Sequence, residues 1–357
     1  MVTDIVKRVR HALLSADVRK AIAQHEFPSV DGLQNTVKFT LTDAAITPWD
    51  VLIERKGGAI HIAWRSEVLR RRHFRLATPQ RVLPYLYYVA LAGDDADRLV
   101  CDLSDGDQPS VADVGFSSPF SERGLVPDLY FFETRGYQKQ RDQSRNAPVP
   151  WADRSNLIQW RGSLNGNGLR IANSDLIDNG LVNQRLRLAY ACKDTDIDFK
   201  FIDQNDATEM LKKEGIWGTR VAATTWLNHK FAIDVDGHSN AWDNLYHRIL
   251  FGCCVLKVDS QVGFRQWYYP KLKPFEHFVP IKADLSDLRE QVDWVRSHPK
   301  EAEAIARAGC ELAHSMTFDS ETQFAAAEIK RICKTNRAII SAKGSSSQAG
   351  QGSSGRI

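Results

Sequence analysis

Neither sign of charge dominates this 357-residue chain, in which 47 Lys and Arg stand against 44 Asp and Glu for a net charge of +3. A surface for nucleic acid would have to be local, and no nucleic-acid partner is expected. Cysteine is sparse too: the six lie at 101, 192, 253, 254, 310 and 333, with no CxxC pair and no histidine at zinc-finger spacing. That pattern argues against a disulfide framework and a structural zinc site. Long apolar runs are missing, since no window approaches the ~18 uninterrupted apolar residues of a spanning helix. The N-terminal stretch MVTDIVKRVRHALLSADVRKAIAQHEF is amphipathic, and its charges interrupt every apolar run, unlike a signal peptide. No GxGxxG follows a strand-like run, which weighs against a dinucleotide oxidoreductase. There is no internal repeat. Together these absences point to the reducing cytoplasm.

What is present suffices for a large core. With 43% hydrophobic and 25% charged residues, the chain reads as a globular protein of two domains. An N-terminal amphipathic helix precedes strand-like runs over 36–42, 51–54 and 59–64, joined by turn residues such as Gly57 and Gly58. A helix over 81–92 and strands over 98–103 and 129–132 follow. The charged and polar stretch 137–150, ending in Pro148 and Pro150, reads as an interdomain linker. Beyond Trp151 the pattern is α/β, with strands over 157–161 and 199–202, helices over 173–180 and 207–214, and later helices over 285–297, 299–315 and 320–336. The domains expected are 1–150, 151–318, a helix over 319–342 packing back on the body, and a disordered tail over 343–357. The basic runs 65–75 and 7–10 read as solvated helix faces, with an anionic acceptor or peripheral contact with the inner membrane left open.

The stretch 230–285 carries most of the functional information. Phe231, Ile233 and Val235 alternate with polar or small residues, and the run stops at Gly237. A helix with Trp242, Leu245, Ile249 and Leu250 at helical spacing follows, with Ser239 or Asn240 available to accept from its free amides. The apolar run 253–258 then reads as an inner strand of a parallel sheet. This strand–loop–helix–strand order puts the loop Gly237, His238, Ser239, Asn240 at a carboxyl edge, where unpaired amides and the helix dipole favour a phosphate.

Other residues offer chemistry. IQWRGSLNGNGLR sets Arg161, Gly162 and Ser163 directly after a strand and Arg170 beyond a flexible turn, an arrangement able to bring amides and two guanidiniums to a diphosphate. Alternatively it is a solvated turn whose arginines pair with neighbouring acids. CDLSDGDQP places Asp105 where a strand ends, as a general base or as part of a plain turn. Asp234 and Asp236 have the DxD spacing of a metal-held nucleotide sugar, but a ribose contact or loop brace suits their position better. Asp194, Asp196 and Asp198 lack the Gly and Glu of a calcium loop. Trp267, Tyr268 and Tyr269 can stack on a base or sugar or fill core, and His277 can contact a ligand or simply pack.

Taken jointly, RGS with Arg170, KFAIDVDG, GCCVLKV and above all WYYPKLKPFEHFVPIKADLSDL resemble the CAP10-type glycosyltransferases of family 90. The resemblance is clearest over 157–317; before Pro150 it rests on the Asp105 turn and the ETRGY stretch. It implies a GT-B-like α/β fold, two Rossmann-like domains facing across a cleft, the second holding a UDP-sugar. It further implies an inverting transfer needing no metal and no cofactor beyond the donor substrate. Asp105 would then be the catalytic base, with Arg161, Gly162, Ser163, Arg170, Asp236, Gly237, His238, Ser239, Asn240, Asn244, Tyr269 and His277 on the donor. The chain departs from eukaryotic members in having Trp242, Asp243 and Asn244 where they carry an Arg in the first turn of the helix. Glucose or xylose as the sugar, and lipopolysaccharide core, a lipid-linked glycan or a capsule or surface polysaccharide as acceptor, fit the bacterial branch. The competing readings are a non-catalytic carbohydrate- or nucleotide-binding protein on the same fold and another nucleotide-dependent Rossmann enzyme.

Overall fold

Alternation of apolar and polar residues produces the strands, and their pairing divides the chain in two. The computed structural model describes residues 2–25, 27, 33–70, 72–146, 149–171, 173–202 and 207–349. The first unit comprises Met1–Phe116, Ser121–Leu129 and Asp319–Ile357, and the second Ser117–Phe120 and Tyr130–Phe318. The fold is α/β, with one sheet in each unit.

The first sheet contains β1 (Val37–Leu41), β2 (Asp50–Lys56), β3 (Ala59–Trp64), β4 (Arg98–Asp102), β5 (Val114–Gly115) and β6 (Gly124–Leu125). Their order is β1-β3-β2-β4-β5-β6. The sheet is mixed, because β2 runs antiparallel to both its neighbours while the remaining pairs are parallel. A Gly57–Gly58 turn with both residues at positive φ makes the β2–β3 hairpin. On the helix Val2–Gln24, Leu14, Val18 and Ile22 are buried at i, i+4 and i+8, while Ile5, Val9 and Leu13 are exposed. Lys7, Arg8 and Arg10 are exposed as expected, whereas much of the basic run 65–75 lies outside the described side chains.

The second sheet contains β7 (Ser155–Gly162), β8 (Asp198–Phe201), β9 (His229–Asp234), β10 (Cys254–Val258) and β11 (Val279–Ile281), in the order β11-β10-β9-β7-β8. Every pair is parallel. Its strands are therefore buried on both faces, and Cys254–Val258 is buried at every position. Trp160 stacks on Phe199 across β7 and β8 with ring centroids 4.1 Å apart. All six cysteine thiols are free, and five are buried.

Four expectations need correction. The apolar run at 129–132 is the helix Leu129–Glu133, not a strand: LYFF fits either period, and Phe131 packs into an aromatic group with Tyr137, Trp267 and Phe318. The stretch 137–150 is not a linker, for Gln138–Asn146 is helical within the second unit. It has no apolar stripe. Hydrogen bonds dock it instead: the buried Arg141 guanidinium donates to Gly136 O (2.6 Å), His314 O (3.0 Å), Met316 O (2.5 Å) and Tyr246 Oη (2.8 Å). The helix expected over 173–180 shrinks to a single turn, Ser174–Leu176, and the helix Gln184–Cys192 follows where none was expected. The last helix, Phe318–Ala349, runs beyond 342 into the Ser- and Gly-rich stretch, and 350–357 lie outside the described residues. No described helix is long and apolar enough to cross a membrane.

Candidate functional site

Strand order places the site. β8 lies on one side of β7, and β9, β10 and β11 lie on the other, so the winding direction of the second sheet reverses between β7 and β9. In an open parallel sheet, the loops leaving the carboxyl ends of the two strands at such a reversal diverge and leave a crevice. Here those loops are 163–168, after β7, and 235–242, after β9.

The two loops touch. Gly166, at φ +105°, lies so close to the second loop that a Cβ added there would stand 2.6 Å from Gly237 O. Gly237 is equally confined, with Asn165 Oδ1 and Arg185 Nη2 at 2.9 and 3.0 Å from any added Cβ. Gly166 is thus required by close backbone approach and by its positive φ, whereas Gly237 is crowded by the ends of two side chains. Between the loops is a recess of about 270 Å³, counted to its open mouth, whose walls include Gln184, Arg185, Asp236, Gly237, Ser239 and Ser260.

Sequence reasoning missed what holds the recess together. Asn183 caps the helix Gln184–Cys192, accepting from Leu186 N (3.2 Å), while its Nδ2 donates to Asn165 O (3.0 Å) and Asn167 O (2.9 Å). Gln184 Nε2 donates to Asp259 O and Ala283 O, just beyond β10 and β11. Arg185 donates to Asp236 O (2.7 Å), Ser163 O (2.9 Å), Asn165 Oδ1 (2.6 Å) and Val235 O (3.1 Å), and its guanidinium lies 5.3 Å from the centre of the Trp160 ring. Three consecutive residues therefore fasten the loops after β7, β9, β10 and β11. The Asn N-cap was a usable signal for the helix. The burial of Arg185 was not, because its partners are carbonyls far away in sequence.

Several residues expected at the donor are here, and others are elsewhere. Asp236, Gly237 and Ser239 line the recess, and Ser163 offers its carbonyl to Arg185. Asn240 lies in the same loop, with its Oδ1 accepting from Trp242 N at 2.7 Å. This bond fixes Trp242 at φ 52°, and the helix Asp243–Leu250 begins without a side-chain cap on its first turn. Asn244 holds Arg248, accepting from its Nη2 at 2.7 Å, and His238 is exposed. Arg161 turns to the neighbouring strand, where it donates to Asp198 Oδ2 (2.5 Å), Asp198 O, Trp160 O and Thr219 O. Four N–H groups are committed there, which makes it a brace between β7 and β8. Gly162 ends β7, and a Cβ there would collide with the Trp160 ring. Arg170 is exposed. The cation beside the recess is therefore Arg185.

Tyr269 packs under Lys257, whose Nζ is 4.7 Å from its ring centre. Lys257 in turn stands 3.7 Å from the buried Asp234. His277 accepts from Lys273 N at its Nδ1 (3.0 Å), and burial holds its pKa below the usual histidine value, which leaves a neutral ring with the proton on Nε2. It knots the 273–277 loop.

Asp105 lies in the first unit, in the loop after β4. Its Oδ1 accepts from Arg81 Nη2 at 2.5 Å, and Arg81 also donates to Leu103 O and Ser104 O, so the loop is wound about one guanidinium. Gly106, at φ +87°, makes the tight turn, its amide held by Ser104 Oγ. Asp105, Arg81, Trp49 and Gln108 line a shallow cavity of about 170 Å³. Asp102, by contrast, is buried against Arg123 at 3.0 Å.

Comparison with known proteins covers the segment that contains this recess. The model of "Glycosyl transferase family 90" matches residues 135–327, more than half of the chain. Protein O-glucosyltransferase 2 of Danio rerio is 32% identical over 105 residues, covering 29% of this chain and 20% of that protein. Protein O-glucosyltransferase 3 of Homo sapiens is 36% identical over 91 residues, 26% of this chain and 17% of the relative. An uncharacterized protein, 179R of Invertebrate iridescent virus 6, is 37% identical over 84 residues, 22% of this chain and 7% of the viral protein. Each of these matches spans a fifth or less of the relative's own length.

Proposed function

The chain belongs to glycosyl transferase family 90, and from that premise we propose that it moves a sugar from UDP to a hydroxyl of a glycan acceptor with inversion at the anomeric carbon. The observation that carries the donor half of this reading is the recess between the β7 and β9 loops: it lies at the reversal point of a parallel sheet and inside the family-matched region. Two relatives are named protein O-glucosyltransferases, which makes glucose the first sugar to test, with xylose second.

On this reading the arrangement is GT-B-like, with the donor held by the second unit. The acceptor oxygen bonds to the anomeric carbon as the bond from that carbon to the phosphate oxygen breaks. The hydroxyl proton passes to Asp105, whose Oδ1 is occupied by Arg81 and whose Oδ2 makes no hydrogen bond among the described residues. Backbone amides of the 237–240 loop and Asn240 Nδ2, which is buried without a partner, meet the charge that grows on the departing UDP. A metal has no part in the proposed chemistry.

Incubation with UDP-glucose or UDP-xylose and lipopolysaccharide core oligosaccharide should release UDP and form an inverted glycoside. Asp105→Asn should lower turnover by at least about a hundredfold while UDP binding persists. Unchanged turnover in this variant would remove Asp105 from the mechanism, and failure to bind UDP would remove the donor reading.

A further inference from the structure

The recess contains more unsatisfied polarity than a folded protein ordinarily keeps. Asp236 is 8% exposed, yet neither of its carboxylate oxygens has a hydrogen-bond partner among the described residues. Ser239 is fully buried and its Oγ is unpartnered, as is Asn240 Nδ2. Four such atoms within five residues cannot be an accident of packing, because each buried unpaired group costs about 1–3 kcal/mol. The expected explanation is a ligand that supplies the missing partners.

The chemistry of the atoms says which part of a ligand. A carboxylate accepts and does not donate, so a phosphate, which also only accepts when ionised, is the wrong partner for Asp236. Two oxygens on one rigid carboxyl instead match two adjacent hydroxyls, each donating one proton. Ser260, on the opposite wall, accepts from Gly263 N and Phe264 N at 3.0 and 2.8 Å, which leaves its hydroxyl proton free to turn to the Asp236 carboxyl and favour its charged form without occupying both oxygens. The enclosed part of the recess is only about 20 Å³, far below the roughly 300–1,000 Å³ of complete small-molecule pockets, which suits one edge of a ligand rather than a whole nucleotide. The main chain at Asp236 is held in place, for its carbonyl accepts from Arg185 at 2.7 Å and the carbonyl of the next residue lies against Gly166.

We propose that Asp236 is the specificity residue for the donor, its carboxylate accepting from both hydroxyls of a vicinal diol while the amides that follow it receive the diphosphate. The proposal rests on the donor reading above. Three vicinal diols are available in UDP-glucose, the 2′,3′ pair of the ribose and the 2,3 and 3,4 pairs of the transferred sugar, and the chemistry at Asp236 is the same for each.

Calorimetry on the full chain separates them. Wild-type protein is titrated with UDP, 2′-deoxy-UDP, 3′-deoxy-UDP, UDP-glucose and UDP-3-deoxyglucose, which lacks the hydroxyl common to both sugar diols, and Asp236→Asn and Asp236→Ala are treated alike. Charge-assisted hydrogen bonds lost from a buried site predict a penalty of roughly ten- to hundredfold in Kd for the deoxy ligand concerned. A penalty on the deoxy-UDPs assigns the ribose, and one confined to UDP-3-deoxyglucose assigns the sugar. In both variants the penalty should vanish, because the intact ligand falls to the affinity of the deoxy one. The same variants should melt at or above the wild-type temperature, since each removes an uncompensated buried charge, and a residue serving only structure would not give that combination. Discrimination that survives in both variants, or no discrimination in the wild type, overturns the proposal alone. Absence of UDP binding to the wild type overturns the donor reading and this proposal with it.

Discussion

Replacing Arg185 by lysine tests whether the crevice is built as described. The guanidinium makes four hydrogen bonds, to Asp236 O, Ser163 O, Asn165 Oδ1 and Val235 O, and so spans the loops after β7 and β9. An ammonium on a flexible stem cannot reproduce a planar fork, and from this position it can keep one or two of them. The others leave buried carbonyls unpaired while the positive charge remains buried. At ~1.5–3 kcal/mol for each hydrogen bond to a charged donor, losing two costs about 3–6 kcal/mol. For a unit of this size a kilocalorie moves Tm by about 2–4 °C, so the expected fall is roughly 6–24 °C. Differential scanning calorimetry with UDP absent measures it. The same variant should lose UDP affinity at temperatures where it is still folded, because the two loops would no longer be fixed against each other. A Tm within about 2 °C of wild type, with affinity retained, would show that Gly166, Gly237 and Asn183 suffice and that Arg185 is not the fastening described here.

Two further outcomes follow from the electrostatics. Burial pushes the Asp236 carboxyl from its ordinary 3.8 up to about 6; Lys257 on β10, the Ser260 hydroxyl and Arg185 favour its charged form, and Asp234 on β9 opposes it. A raised carboxyl binds its proton in the folded chain when the unfolded chain has lost it, so stability should fall as pH rises from about 4 through 6, by about 3 kcal/mol at most. Donor affinity should move the opposite way, weakening as pH drops below about 6 and the carboxylate is protonated; in Asp236→Asn the affinity trend should be missing and the stability trend reduced to the share of other raised carboxyls such as Asp102, and an affinity profile unchanged in that variant would assign it to another group. Arg161→Ala should destabilise the second unit through the loss of its bonds to Asp198 while leaving UDP affinity at the wild-type value. A calorimetric Kd that rises tenfold or more, about 1.4 kcal/mol, would return Arg161 to the diphosphate.

How far the sequence revealed this arrangement depends on where each interaction has its partner. Local periodicity located β3 at both ends and the helix Pro299–Ser315 likewise, because alternation and a 3.6-residue repeat are properties of contiguous residues. The strand, loop, helix and strand from β9 to β10 were legible for the same reason, and with them the loop of Asp236, Gly237 and Ser239 that lines the recess. The helix Gln138–Asn146 was not. QKQRDQSRN has the composition of a solvated linker, and the bonds that Arg141 makes to Gly136, Tyr246, His314 and Met316 reach as far as 175 residues away. Arginine roles stayed open for the same reason: the sequence left Arg161 between a diphosphate contact and pairing with neighbouring acids and did not single out Arg185, and only the three-dimensional positions of Asp198 and the 163–165 loop show that the first is a brace and the second a clamp.

The functional loop shows a subtler form of this limit. Strand–glycine–helix order locates the recess-lining loop, and its free amides suggest a cradle suited to an anion, with Asp236 beside it as a ribose contact or a loop brace. The structure buries that carboxylate at the head of the cradle, one residue before Gly237, with neither oxygen hydrogen-bonded among the described residues. An acceptor and a row of donors side by side suit a ligand that alternates in the same way, hydroxyls next to phosphates, which is the chemistry of a nucleoside diphosphate sugar and not of inorganic phosphate. Specificity for such a donor would then arise from the contrast between Asp236 and the amides after it. A protein that simply bound anions there would gain nothing from keeping this aspartate buried and unpaired.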